Sequence, residues 1–159
     1  MQSTRETIRP AFPLWRMGAA ALLLLSLWAT AIASKEASLE ELKARLATSS
    51  PADRAHLCVE IAERQLTSAN QFYADGDSEK GQSALNDVAA FSESARDNSI
   101  QSGKRLKQTE IAVRVMTRKL NDLKHRVTHD EQSSVQNTID RLQRVRDDLL
   151  GAMFHHGDK

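Results

Sequence analysis

A single cysteine, Cys58, excludes the dithiol, haem-attachment and cysteine-based zinc patterns, because each of these needs more than one thiol. Proline is nearly as scarce. Pro10 and Pro13 precede the one long apolar run, which leaves only Pro51 to break a helix in the rest of the chain. With six glycines as well, the chain has few places to end a helix, and its composition favours an all-α fold. Aromatic residues make up 4%. Both tryptophans, Trp15 and Trp28, lie near the N-terminus, and only Phe72, Tyr73, Phe91 and Phe154 follow. An interleaved basic and aromatic surface that stacks bases is therefore excluded, and no nucleic-acid partner is expected. The net charge of +1 exerts no global pull on a polyanion. No glycine-rich phosphate loop and no nucleophile elbow occur. Glu-x-x-His, the ligand pair of di-iron bundles, is absent beyond residue 33. These absences assign no catalytic, cofactor-binding or metal-binding residue, and point to no small-molecule substrate.

The N-terminus has a recognisable order. Arg5, Arg9 and Arg16 precede the apolar run 17–28, which fades into small residues ending at Ala31-x-Ala33. A basic start, an apolar middle and a small-residue exit are the parts of a secretory signal peptide over 1–33. The apolar stretch 17–33 is at the lower edge of bilayer-spanning length, so an uncleaved, outward-facing anchor is the alternative to cleavage after Ala33. Twin arginines are missing, and no cysteine follows the run directly, so neither folded export nor a lipidated N-terminus is indicated. The expected location is periplasmic or secreted.

Residues 34–154 read as one helical domain, with 155–159 as a loose tail. Ser38-x-x-Glu41 has the pattern of a capping box and opens a short, peripheral first helix at about 38–47. Ser50-Pro51 starts a second, along which Ala55, Val59, Ala62, Leu66, Ala69 and Tyr73 recur at fours and threes. Asp75-Gly76-Asp77 closes it and caps a third, marked by Ala84, Val88, Phe91 and Ala95. The run 96–103 is poor in helix formers, so the chain turns there. Leu106, Val113, Met116, Leu120 and Leu123 stripe a fourth helix, and the box Thr128-x-x-Glu131 opens a fifth. The four main segments, 51–75, 78–101, 104–127 and 130–154, would each be roughly 36 Å long at 1.5 Å per residue, as a small up-down antiparallel bundle needs. The rival architecture is one long central helix over about 78–127, flanked by two antiparallel partners.

Four constellations carry potential function. The pattern Ala69-x-x-Phe72-x-x-x-Gly76-Asp77-x-x-Lys80-Gly81-x-x-x-Leu85 resembles the turn of a tetratricopeptide repeat, although Gly81 stands where that family prefers alanine. The resemblance implies a protein-interaction scaffold. Cys58 reads as a small apolar packing group, with an intermolecular disulfide as its functional reading in an oxidising compartment. His125 and His129 have a metal-ligand spacing, but the second lies past the expected helix end. The fourth helix is the most unusual. Between Lys104 and Arg126 it has eight basic residues against Glu110 and Asp122, a surplus of six, while its neighbours are each net acidic. The bland reading is charge matching inside the bundle. The functional one is a face for an anionic partner, built from Lys104, Arg105, Lys107, Arg114, Arg118 and Lys119.

The expectation is thus an exported, non-enzymatic protein-interaction or adaptor module, with another protein or itself as partner, or an anionic envelope surface. The alternatives are an oligomerising coiled-coil spacer of the cell envelope and a bundle holding a metal or haem.

Overall fold

In the computed structural model, which describes residues 39–155, helix is the sole regular structure among the described residues. A short segment, α1 (39–46), precedes α2 (Pro51–Ala74), α3 (Ser78–Ser102), α4 (Leu106–Lys124) and α5 (His129–His155). The expected all-α bundle of four long helices behind a short one is the fold this sequence adopts. The 1–33 signal, Ser38 of the first capping box and residues 156–159 lie outside the described residues.

Local chemistry sets the helix ends. Ser50 Oγ accepts from the Asp53 N–H at 3.3 Å, and Pro51 occupies the first turn, where no N–H donor is needed. At the far end, the Gly76 and Asp77 N–H groups donate to the Tyr73 and Phe72 carbonyls at 3.2 and 2.8 Å. This is a Schellman closure, and it requires the left-handed φ of 79° at Gly76. Asp77 then caps α3 by accepting from the Lys80 N–H at 3.2 Å.

The polar run 96–103 does not break the helix at its start: α3 continues to Ser102, one residue past the expected 101. Its side chains bond back to their own backbone instead: Asn98 Nδ2 donates to the Ser94 carbonyl and Ser102 Oγ to the Asn98 carbonyl, both at 2.8 Å. Ser99, fully buried, shares a 2.8 Å hydrogen bond with Thr109 of α4. The break falls at Gly103 and Arg105, each left-handed with φ 63°. One continuous helix over 78–127 is therefore not the architecture, and α4 is shorter than the expected 104–127.

Cross-helix bonds fix the directions. Gln65 to Asp87 and Cys58 to Ser94 join α2 and α3 with numbering running in opposite senses. Arg141 to Glu93 and Arg96 to Asp148 join α3 and α5 with numbering rising together. The molecule is thus two antiparallel hairpins, α2–α3 and α4–α5, stacked so that α3 lies beside α5 and α2 beside α4. No Cα of α2 comes within 8 Å of one in α5, and α3 packs more on α5 than on α4, its successor in the chain.

The core is aliphatic, with Leu66, Leu85, Val88, Val113, Met116, Leu120, Ile139, Leu142 and Leu149 almost wholly buried. The first helix is less peripheral than its length suggests. Leu42 covers Leu57 and Ile61 in a second cluster that Phe91 packs against, and Arg54 Nε donates to the Leu46 carbonyl at 3.0 Å. At the start of α5 half of the expected capping box forms: Glu131 accepts from the Thr128 N–H at 2.9 Å. Ser78 also donates to Glu131 and so ties the start of α3 to that of α5. Farther along, Arg141 grips Glu93 with two N–H groups at 2.8 Å each, and this bond holds the Glu93 carboxyl below its usual range.

Gly81 is a buried glycine in the first turn of α3 because the Tyr73 ring lies flat over it. A Cβ there would stand 2.8 Å from Tyr73 Cε2 and 2.9 Å from Cζ. Helix propensity alone would make Gly81→Ala stabilising by about 1 kcal/mol. The overlap should reverse the sign, to a loss of about 1–2 kcal/mol by urea denaturation, and a Tyr73→Ala background should restore the gain. For Glu93, a folded-state pKa below the ordinary 4.5 means its contribution is complete above that value and is lost as pH falls through the folded pKa. Glu93→Gln should therefore flatten the acid limb of the stability–pH curve and lower stability at pH 7 by about 1 kcal/mol.

Candidate functional site

Helix α4 buries Leu106, Thr109, Glu110, Val113, Met116, Leu120 and Leu123. By the 3.6-residue period, Lys107, Ile111, Arg114, Val115 and Arg118 then fall together on the opposite face, with Lys119 one turn beyond Val115. Ile111 and Val115 are 40% and 38% exposed, so two β-branched side chains stand in solvent among the cations. The structure thus brings Lys107, Arg114, Arg118 and Lys119 onto one outer surface. It leaves Lys104 and Arg105 in the turn ahead of the helix, both exposed.

The charges on this face are not matched inside the bundle. Of the six cations expected to form an anionic-partner face, only Arg114 has a carboxylate within 4.0 Å among the described residues, and it is Glu110 of the same helix, at 3.6 Å. The cross-helix ion pairs use other cations: Arg141 with Glu93, Arg96 with Asp148, and Arg146 with Glu110. Net-acidic α5 thus lends an arginine to the one buried acid of basic α4. Of the remaining α4 cations, Lys124 donates to Gln136, and Arg126, just past the helix end, donates to Asn70, both at 2.7 Å and both to neutral amides.

The start of α4 is also set against its own backbone. Its first turn has no acidic residue, and its cap, Arg105, is left-handed and makes no side-chain capping bond. Lys104, Arg105 and Lys107 crowd the positive end of the helix dipole, where cations are disfavoured.

Between α4 and α5 runs an open groove of about 410 Å³, lined by Arg114, Thr117, Arg118, Gln143 and Arg146. Glu110, 6% exposed, lies beside it and accepts from Arg146 Nε at 2.8 Å. Arg146 and Gln143 were not legible as site residues, because on α5 they read as part of an acidic, solvated helix. Only the pairing of α5 with α4 turns them towards Arg114 and Arg118.

The other sequence candidates fall elsewhere. Cys58 is 2% exposed between α2 and α3, its thiol 3.4 Å from Ser94 Oγ, and burial pushes its pKa up. A thiol so placed reaches a second chain only if α2 and α3 separate, so the fold gives Cys58 a packing position. His125 closes α4 and His129 opens α5, so the two exposed imidazoles flank a turn rather than share a helix face. No group of three or more His, Cys, Asp or Glu among the described residues is arranged to hold a metal ion, and none of their helices is long and apolar enough to cross a membrane. No family model, curated protein or solved structure matches the chain. The tetratricopeptide-like stretch is, in this fold, the turn of the α2–α3 hairpin.

Two substitutions should show that the start of α4 is not tuned for stability. Lys107→Glu should raise stability by about 0.5 kcal/mol through the dipole, a gain that shrinks with added salt. Arg105→Gly should raise it by about 1 kcal/mol at any ionic strength, by removing left-handed strain. Both are read from urea unfolding of the purified protein.

Proposed function

We propose that this chain is an exported, non-enzymatic interaction module that holds an acidic protein partner against the outer face of α4. The observation that supports the reading is a row of cations without carboxylate partners among the described residues, Lys107, Arg118 and Lys119 with half-paired Arg114, set around exposed Ile111 and Val115. Export rests on the signal pattern of 1–33. The exposed aliphatics supply apolar area, and the cations speed encounter and select an acidic surface. From Lys107 to Lys119 the face runs roughly 18 Å, the length of a short helix or strand from a partner. A second copy of this chain is a poor occupant, since two-fold pairing through this face would set cation against cation.

The test is affinity capture from an extract of the exported compartment, comparing wild type with Lys107→Glu/Lys119→Glu, two exposed positions without ion pairs among the described residues. The wild type should retain acidic proteins that elute as ionic strength rises above about 0.15 M, where the Debye length falls below roughly 8 Å. The folded variant should retain none of them. Equal capture by both proteins, or capture indifferent to salt, would overturn the reading.

A further inference from the structure

We infer that the groove between α4 and α5 is a binding site for a phosphate-type oxyanion, with Arg114, Arg118 and Arg146 as its ligands. The inference goes beyond the protein-docking face. It shares Arg114 and Arg118 with that face but adds a residue of α5, and it stands whether or not a protein partner exists.

Three guanidinium groups line one open groove of about 410 Å³. The protein supplies one carboxylate to offset their mutual repulsion. Glu110 accepts from Arg146 Nε at 2.8 Å and lies 3.6 Å from an Arg114 terminal nitrogen. Glu110 is nearly buried and orients Arg146 through its Nε edge alone, while Arg114 stands at ion-pair distance. The two terminal nitrogens of Arg146 remain available to a ligand. Arg118 has no ion-pair partner among the described residues. Three cations less one anion leave two positive charges, enough to balance a phosphate dianion near neutral pH and more than the single charge of a diester.

The donor type fits as well. Arginine presents N–H groups in a planar fork that meets two oxygens of a phosphate at once, which a lysine ammonium cannot do. Gln143 adds an amide at the rim. The Thr117 hydroxyl, which donates to the Val113 carbonyl at 2.9 Å, contributes little more than shape. The groove opens to solvent, so a phosphate held there can be free or can belong to a monoester or diester whose remainder extends outward. Inorganic phosphate and the headgroup of an anionic phospholipid share this chemistry.

The full chain is titrated with inorganic phosphate by calorimetry. In a second arm it is floated with phosphatidylcholine vesicles with and without phosphatidylglycerol. Each arm is repeated with Arg118→Gln, which removes a groove cation without an ion-pair partner among the described residues, and with Arg144→Gln, an exposed α5 arginine outside the groove. Saturable phosphate binding that weakens about tenfold in Arg118→Gln and is unchanged in Arg144→Gln supports the site with free phosphate as its ligand. Binding to phosphatidylglycerol vesicles with the same pattern among variants supports it with a headgroup as the source. The comparison between variants cancels any contribution from the N-terminal apolar run. Binding in neither arm, or equal losses in the two variants, overturns the inference. Neither result bears on capture of an acidic protein, which the Lys107 and Lys119 variant reads separately.

Discussion

Small side chains between α2 and α3 set the spacing from which the rest of the bundle is built. Ala55, Ala62 and Ala69 recur along α2, and Gly81, Ala84, Ser92 and Ala95 along α3, all buried. A chain with so few aromatic rings cannot fill wide gaps between helices, so its core must come from close approach and aliphatic interdigitation. The α2–α3 pair is accordingly the most extensive in the molecule. Close approach leaves little room for error. A Cβ at Gly81 would lie under 3 Å from the Tyr73 ring, and Cys58 is buried against Ser94 of the neighbouring helix. Polar groups at the seam must be satisfied locally, as Gln65 is by Asp87 at 2.7 Å and Ser92 by the Val88 carbonyl.

On that hairpin the second one rests, and its helices are held by position-specific charge rather than by net charge. Arg141 and Arg96 of the paired helices α5 and α3 reach across to Glu93 and Asp148, and Ser78 reaches Glu131. These contacts pin the parallel register of α3 and α5. A bidentate arginine–carboxylate pair adds a directional contact to a helix pair that aliphatic stripes alone would hold less specifically.

Much of this was legible in the sequence because it depends on near neighbours. The Ser50-Pro51 start and the Gly76-Asp77 closure are decided within about six residues, and both stand where their chemistry puts them. The end of α3 was read to within one residue, but not the reason the polar run stays helical up to it. Asp, Asn and Ser compete for backbone groups, and which side prevails depends on context: here Asn98 and Ser102 serve their own helix, and buried Ser99 finds Thr109. The pairing scheme was not legible either. Apolar stripes show that a helix has a buried side, not which helix covers it, and so the diagonal step from α3 to α4 had no signal. The same gap affected the candidate site. The charge surplus of α4 was visible residue by residue, but the contribution of Arg146 exists only once α5 lies beside it.

The outer face of α4 is best understood through the imbalance between what the helix buries and what it exposes. Leu106, Val113, Met116, Leu120 and Leu123 lie in the core, and at about 2 kcal/mol each their burial is worth about 10 kcal/mol in gross terms. Against this, like-charged neighbours and cations at the helix start cost about 0.3–1 kcal/mol apiece. The aliphatic contribution is the larger of the two, so the outer charges are not what holds α4 against the bundle. The cations at its start are not arranged for stability, which would have put acids in the first turn and a glycine at 105. Their sign and their clustering call for a different explanation, and an anionic occupant is one that accounts for both.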